Sequence, residues 1–458
     1  MTDAKASATL LTAHGADPLS GRFVTPGDSA ISQRALLLAA LTVGQSQIKG
    51  VRISQEVLET AAALRQLGVQ IEADGPDWLV HGLGVLGLLA PAGAIETGHS
   101  ATSLALLLGL LAPYGMTTRF GTVGAQAPTA AHLLDAVSPA LLDGLGALGA
   151  KVDRQDDGAV VLTGAGLPLP PRLNLERPDE TTKMALLLAG VQMAGESAIH
   201  EHLATHDHGE KLLASFGAEI TVLPDEGDGE GTTITLTGLP ILKPQTIVVP
   251  GDPSMAAFAI IAALIIKGSE LVVSNVLINP LRTGLIDTLL EMGGDIQFIN
   301  QRETAGEHIA DLRVRSSWLK GVRVSERHAR ALLDDLPALA IAAAFAQGET
   351  VINGLGALTA AQDRQIKALV AGLRANKVGV TLGAQSLSLA GEGKVAGGGQ
   401  VESQGDAALA MSFAVLGLAS RHRVTIAGAE AIAESFPDFV ASMSAAGGKF
   451  PPTKPLKT

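Results

Sequence analysis

The sequence predicts an α/β protein of two domains, each built from three copies of one helix–strand–helix–strand unit. Three observations support this prediction. At 458 residues the chain is too long for a single compact core. Hydrophobic residues make up 47% and charged residues 17%, which is a globular composition. The third observation is an internal repeat, which constrains the fold more than composition does.

Six segments share one pattern: a polar start, an apolar helical stretch rich in Ala and Leu, a turn, and a β-branched strand. The six segments begin near Ser29, Ser100, Glu180, Asp252, Asp335 and Asp406. Their spacing of roughly 70–80 residues suits a small α/β unit. The helical stretches are apolar nearly all round, so we expect these helices to be buried.

A second helix and a further strand follow in the copies, as in LETAAALRQLGVQIEA and EKLLASFGAEITV. A Gly after the last apolar turn predicts the helix end, because Gly adopts the left-handed conformation at little cost. Short alternating segments such as TTITLTGL predict strands. Each copy therefore predicts two helices and the strands that pair beside them.

The division of six copies into three and three predicts the domain boundaries. Residues 27–249 are expected to form one domain, and residues 1–26 with 250–458 the other. The segments near 23–27 and 243–251 are the predicted hinge. Two short crossovers of this kind typically let domains close on a small molecule in the cleft between them.

Composition and charge exclude several kinds of partner. A net charge of −12 and 3% aromatic residues argue against nucleic acid. The absence of cysteine excludes disulfides and thiolate nucleophiles. The N-terminus has no apolar signal-peptide core, and the most apolar run, Ala256–Ile266, is too short to span a bilayer. We therefore predict a monomeric cytoplasmic protein that binds a small molecule and uses no cofactor and no metal.

Three segments carry a resemblance to the EPSP synthase family of enolpyruvyl transferases. TPGDSAISQR, at Thr25–Arg34, is similar to the family's Pro-Gly-Asp-Lys-Ser-Ile-Ser-x-Arg motif. VPGDPSMAAF, at Val249–Phe258, and NVLINPLRTGLIDTLLEMGGDI, at Asn275–Ile296, resemble the glyphosate-tolerant bacterial class. The resemblance extends over about the whole chain. It implies the family's two-domain fold, an inside-out α/β barrel of six βαβαββ units, three in each domain.

The resemblance also implies a site that differs from the family's pattern. The family transfers an enolpyruvyl group from phosphoenolpyruvate to shikimate 3-phosphate, and two anionic substrates require many Lys and Arg side chains. The motif lysine corresponds to Ser29, whereas Arg34 is retained. The arginine that precedes Asp-His corresponds to His206. The arginine of the second motif corresponds to Ala105 and that of Asp-His-Arg to Ala408.

Carrying the motifs over residue by residue implies nine substrate-binding positions. These positions are Asp28, Ser29, Arg34, His99, Asp179, Glu180, Thr181, Arg364 and Asp406. His99 stands in place of an asparagine, and Asp179, Glu180 and Thr181 stand in place of Ser-Ala-Gln. Arg364 matches the motif arginine only to within one residue of register.

Four residues are the candidates for proton transfer: Asp334, Asp335, His206 and Asp207. The resemblance implies that Asp334 is the general base. A buried carboxylate beside another carboxylate has a raised pKa, which suits proton transfer near neutral pH. The alternative for Asp335 is that it caps the helix that begins around Pro337.

The tripeptide His206-Asp207-His208 has the composition of a metal or acid–base cluster. Residues i and i+2 of a strand point to opposite faces, although a turn could bring the two imidazoles together. The resembled family carries Asp-His at this place without a metal. The preferred interpretation is therefore a structural or cleft-lining role.

Three functional hypotheses follow. The first is a repurposed relative that acts on a less anionic small molecule. The second is a non-catalytic relative that binds a ligand or a partner. The third is an authentic 3-phosphoshikimate 1-carboxyvinyltransferase that uses substituted residues. The sequence leaves open whether the chain is an enzyme, because fold and chemistry separate readily.

Overall fold

The computed structural model describes residues 10–98, 100–121, 129–166, 168–177, 179–226, 229–330, 332–356 and 358–451. The chain folds into two compact units. The first unit comprises Met1–Pro26, Gly251–Arg302 and His308–Thr458, and the second comprises Gly27–Pro250 with Glu303–Glu307. The predicted hinge between domains stays a prediction, as do the monomeric state and the cytoplasmic location.

The first unit begins with two short strands, β1 (Leu10–Ala13) and β2 (Ser20–Val24). The second unit follows in the chain. Its elements are α1 (Ser29–Ala40), β3 (Val43–Lys49), α2 (Gln55–Gln66), β4 (Gln70–Asp74), β5 (Asp77–Leu83), β6 (Ile95–Glu96), α3 (Ala101–Leu111), β7 (Thr117–Gly121), α4 (Ala130–Leu134), α5 (Pro139–Ala147), β8 (Lys151–Arg154), β9 (Val160–Thr163), β10 (Arg172–Leu175), α6 (Glu180–Gly190), β11 (Glu196–Glu201), α7 (His208–Ser215), β12 (Ile220–Pro224), β13 (Thr232–Thr237) and β14 (Thr246–Val248).

The rest of the first unit has the same alternation of helices and strands. Its elements are α8 (Pro253–Ile265), β15 (Glu270–Leu277), α9 (Gly284–Glu291), β16 (Asp295–Thr304), β17 (Glu307–Arg315), β18 (Arg323–Val324), α10 (Glu326–Arg330), α11 (Leu336–Phe345), β19 (Gln347–Asn353), α12 (Ala360–Ala375), β20 (Gly379–Leu382), β21 (Ser386–Glu392), β22 (Gln400–Glu402), α13 (Ala407–Ala419), β23 (Val424–Ala427), α14 (Ala431–Ser435) and α15 (Phe439–Ala445).

Across the described residues the strands form six sheets, three in each compact unit. Within the sheet β10-β11-β13-β12, β10 and β11 are parallel, whereas β13 is antiparallel to both β11 and β12. A parallel pair needs a crossover helix, here α6, and an antiparallel pair can be joined by a tight turn. This order is the βαβαββ unit, and the prediction of six such units is confirmed.

Three of the sheets are completed by a strand from far along the chain. β14 pairs in parallel with β3, so the last strand of residues 27–250 closes the sheet of its first repeat. β2, which precedes α1 in the chain, pairs in parallel with β15 in the first unit. β1 lies antiparallel to β23 and completes a sheet of three strands rather than four.

The first helix of each repeat lies in the core, as predicted from its apolar residues. In α1, α3 and α6 of the second unit nearly every residue beyond the first turn is buried, and the same holds for α8, α11 and α13 of the first unit. Helices that are apolar all round bury their whole surface. In the part of the chain that the structure describes, no helix has the length and hydropathy to cross a membrane.

Candidate functional site

Most of the predicted site residues of the second unit lie at the N-termini of its buried helices. Asp28 caps α1 and accepts a hydrogen bond from the Ile31 backbone N–H at 2.9 Å. Asp179 caps α6 and accepts one from Thr182 at 2.8 Å. The N-terminus of a helix attracts anions because its N–H groups are unpaired. Here carboxylates of the protein occupy that position at both helices.

Arg34 and Glu180 form a buried ion pair between α1 and α6. The Arg34 side chain is 2% exposed, and its Nη2 lies 2.7 Å from Glu180 Oε1. Burial alone would raise the pKa of Glu180, but the Arg34 guanidinium and a hydrogen bond from His206 hold it well below its usual range. The retained arginine is therefore already paired with a carboxylate of the chain. Its Nε and Nη1 are buried and have no hydrogen-bond partner among the described residues.

The remaining predicted binding residues of this unit have local roles or lie apart. The Ser29 hydroxyl donates to Glu56 Oε1 and lies 3.3 Å from Ser54 Oγ. Thr181 is partly exposed in the first turn of α6. His99 falls outside the described residues.

His206, Asp207 and His208 lie in and beside the loop that leads into α7, not on a strand. The two imidazoles do not point to opposite faces of a strand. The turn brings them together, with 5.6 Å between the ring centroids of His206 and His208. His206 Nδ1 lies 3.0 Å from Glu180 Oε2. His208 is fully buried, and its Nδ1 lies 2.6 Å from Glu307 Oε1.

A second buried ion cluster was not identified from the sequence. Lys183 lies in α6 with 2% of its side chain exposed, and its Nζ is 3.0 Å from Glu201 Oε2 and 2.7 Å from Glu210 Oε1. Burial alone would lower the pKa of Lys183, but the two carboxylates raise it above its usual value. The signal was present in the sequence, because a lysine just before the apolar run MALLLAG is expected to be buried, and buried lysines are almost always paired.

These ion pairs give this part of the second unit an acidic surplus. The pairs join three cationic side chains to five carboxylates, namely Arg34, Lys183 and Lys211 with Glu180, Glu201, Asp207, Glu210 and Glu307. We refer to these eight residues as the acidic cluster. The cluster has two more carboxylates than cationic side chains, and this excess favours cations and opposes anions.

In the first unit, Asp335 is a carboxylate with a raised pKa. Asp334 is exposed. Asp335 stands at the N-cap position of α11, as the capping alternative predicts, but its side chain makes no capping hydrogen bond. Its carboxylate instead accepts a hydrogen bond from Ser254 and lies near Arg282 and Asp252. Burial, opposed by Ser254 and Arg282, raises the pKa of Asp335 to about 6.

The AAQDRQ motif forms the first turns of α12. Arg364 is exposed on α12, and the next residue, Gln365, donates from Nε2 to Asp406 Oδ2 at 2.7 Å. Asp406 also caps α13 by accepting from the Leu409 N–H at 2.9 Å. The side chain that contacts Asp406 is therefore a neutral amide, not the arginine.

We expect Asp335→Asn to remove a pH dependence of stability. A carboxyl whose pKa is higher in the folded state stabilises the fold at pH 4 and loses that contribution as the pH rises through 6. A shift from 3.8 to about 6 corresponds to at most about 3 kcal/mol. The free energy of unfolding in urea should therefore fall for the parent between pH 4 and pH 7.5, and the variant should lack this part of the fall.

Asp363→Asn, a change at a partly exposed carboxylate paired with Lys367, controls for the loss of one charge. Equal pH profiles for parent and Asp335→Asn would contradict the prediction.

Comparison of the sequence with known proteins identifies one family over nearly the whole chain. Residues 13–443 match the family model of EPSP synthase (3-phosphoshikimate 1-carboxyvinyltransferase). The chain is 43% identical to the 3-phosphoshikimate 1-carboxyvinyltransferase of Cereibacter sphaeroides, over 95% of this chain and 97% of that protein. It is 42% identical to the protein of the same name from Parvibaculum lavamentivorans, over 97% of each.

Solved structures show the same relationship. EPSP synthase from Acinetobacter baumannii superposes with a TM-score of 0.87 at 32% identity, covering 97% of this chain and 99% of that one. The enolpyruvyl transferase NikO from Streptomyces tendae shares the fold, with a TM-score of 0.72 at 18% identity over 97% of this chain and all of that one. The predicted two-domain enolpyruvyl transferase fold is thereby confirmed, and the chain belongs to the EPSP synthase family.

Proposed function

We propose that this chain binds a small molecule with fewer negative charges than phosphoenolpyruvate and shikimate 3-phosphate, and that it has negligible carboxyvinyl transferase activity. The observation that carries the proposal is the buried ion pair between Arg34 and Glu180. In this pair the motif arginine that would meet a substrate anion is neutralised by the chain's own carboxylate. The proposal covers the ligand class and does not name the molecule.

The charges around Arg34 oppose a dianionic ligand. A charged hydrogen bond contributes roughly 1.5–3 kcal/mol, and Ser29 supplies none of the charge that the motif lysine would supply. A phosphate would also have to approach the acidic cluster, where Coulomb repulsion between unit charges at 4 Å is about 4 kcal/mol at a protein surface. Losing several cations and gaining carboxylates would lower a transferase rate by many orders of magnitude.

A second candidate is the authentic activity, 3-phosphoshikimate 1-carboxyvinyl transfer. Two observations favour it. Relatives with this name are 40–43% identical over 95–97% of the chain, and their names favour this hypothesis over a repurposed relative. In addition, Nε and Nη1 of Arg34 are buried and have no partner among the described residues, and a carboxylate could accept from both. The predicted assignment to the glyphosate-tolerant class stays a prediction.

Growth of a bacterial strain that lacks EPSP synthase and requires aromatic amino acids separates the two candidates. We expect no growth on minimal medium when this chain is expressed in that strain, because its site provides too little positive charge. The Cereibacter sphaeroides relative, expressed from the same vector, is the positive control. Robust growth with this chain would establish the second candidate and contradict the first.

A binding assay tests the role of Glu180 directly. We expect millimolar shikimate 3-phosphate to leave the melting temperature of the parent unchanged, although a ligand at 100 times its Kd stabilises by about 2.7 kcal/mol. Glu180→Ala removes one like charge and leaves Arg34 without its carboxylate, so affinity should rise at least about tenfold. Glu196→Ala, which breaks an exposed pair with Arg172, is the matched control. No gain in Glu180→Ala would contradict the electrostatic argument.

A further inference from the structure

We propose that Glu180, His206 and His208 bind a divalent transition-metal ion. Each of these side chains offers one ligand atom, and the three atoms lie within 4.8 Å of one another. The residues come from two places, the start of α6 and the loop that enters α7, and the fold brings them together. This inference goes beyond the proposed function, because it concerns a cation and not the organic ligand.

His208 has the environment of a metal-ligating imidazole. Its Nδ1 lies 2.6 Å from Glu307 Oε1, and the side chain is fully buried. Its Nε2 is buried with no hydrogen-bond partner among the described residues. Metal-ligating histidines almost always hold a carboxylate or carbonyl on their other ring nitrogen, which orients the ring. An unpaired buried polar atom destabilises the fold, and a metal bond to Nε2 would remove that cost.

The ligand atoms of the other two residues, His206 and Glu180, already lie almost as far apart as two ligands of one metal ion. His206 Nδ1 lies 3.0 Å from Glu180 Oε2, and ligands about 2.0–2.1 Å from a tetrahedral ion are separated by roughly 3.3 Å. Arg34 contacts the other carboxylate oxygen, Oε1, so Oε2 is the oxygen that His206 contacts. His206 lies in a loop with about a third of its side chain exposed, so it can adjust to an ion.

The donor set selects the class of ion. Two imidazole nitrogens and one carboxylate suit Zn²⁺ and other first-row divalent ions, whereas Mg²⁺ and Ca²⁺ prefer all-oxygen sites. Three protein ligands leave a fourth position for water or a ligand atom, as in catalytic zinc sites. The acidic surplus of the surrounding cluster provides the negative charge that a dication requires.

A neighbouring set, Asp207, His208 and Glu307, has a similar composition but is less suitable. Lys211 Nζ lies 3.0 Å from Asp207 Oδ2 and 3.3 Å from Glu307 Oε2. A metal there would displace or confront this ammonium group. Glu307 is therefore assigned as the residue that orients His208, not as a ligand.

The test uses full-length protein without a histidine tag, stripped with a chelator and titrated with Co²⁺. Since the chain has no cysteine, thiolate binding cannot interfere. We expect one Co²⁺ per chain with a visible absorption band, and displacement of the band by Zn²⁺. His206→Ala and His208→Gln should each weaken binding at least about 100-fold, since each removes a ligand. Glu307→Gln should weaken Co²⁺ binding by about 10–100-fold and shift the absorption band. If Glu307 had only a structural role, the band would not shift.

His200→Ala is the matched control. His200 is also a partly exposed histidine beside a carboxylate, with Nε2 3.2 Å from Asp225 Oδ1, but it lies outside the proposed site. Its replacement should leave Co²⁺ binding unchanged. His208 is buried and its variant could unfold, so circular dichroism accompanies each titration. His206 is partly exposed, so the result with His206→Ala decides the test. Absence of stoichiometric binding, or equal binding by the parent and His206→Ala, would overturn the proposal, whatever the growth assay shows.

Discussion

Gly109→Ala should destabilise the protein by at least about 3 kcal/mol, which is beyond the usual cost of overpacking. Gly109 lies in α3 where this helix crosses α6. A Cβ added there would lie 2.7 Å from Ala185 Cα and closer still to the Ala185 carbonyl. These are backbone atoms of a fully buried helix, so only a separation of α3 from α6 could relieve the clash. Separation would open the core of the unit, because both helices are buried on all sides.

Gly146→Ala is the control for Gly109→Ala. Gly146 is also helical, in α5, but a Cβ there meets nothing within 4 Å and the residue is exposed. Alanine favours the helix over glycine by about 1 kcal/mol, so this variant should be equally or more stable. Urea unfolding followed by circular dichroism measures both. If Gly109→Ala unfolds within about 1 kcal/mol of the parent, the close helix crossing is wrong.

Lys183→Met should cost about 3–5 kcal/mol, the usual cost of breaking a buried ion pair from one side. The substitution leaves Glu201 and Glu210 without their shared ammonium group, although both carboxylates are buried. Methionine fills much of the space that the lysine stem occupies, so lost packing is a small part of the effect. The loss arises chiefly from the two uncompensated charges.

Neutral isosteres separate charge from packing in this experiment. Adding Glu201→Gln and Glu210→Gln to Lys183→Met should recover a large share of the lost stability, since no buried charge then remains at these three positions. Lys367→Met breaks an exposed pair with Asp363 on α12 and should cost at most about 0.5 kcal/mol. If Lys183→Met were as mild as Lys367→Met, the buried cluster would not contribute as described.

The periodicity of the sequence was enough to predict the repeating units. An all-apolar helix such as α8 can only be buried, and a Gly after the last apolar turn ends a helix wherever it occurs. These are local properties that one segment carries by itself. The same locality explains why the expected capping hydrogen bond of Asp335 is not formed. An acidic residue before Leu-Pro indicates a cap, but a capping preference of about 1 kcal/mol does not decide where a side chain points when Ser254 and Arg282 lie nearby.

The sequence by itself determined the α/β class, the six repeats, the buried helices and the resemblance to the family. Only the tertiary structure decided which strands complete which sheets, as when β2 pairs with β15 rather than with a strand of the repeat that follows it. It alone joined Arg34 to Glu180 across 146 residues of chain, and His208 to Glu307 across 99. Periodicity reports only which face of an element is buried. The partner of a buried charge depends on how helices from distant repeats pack against each other. No local sequence pattern specifies that packing.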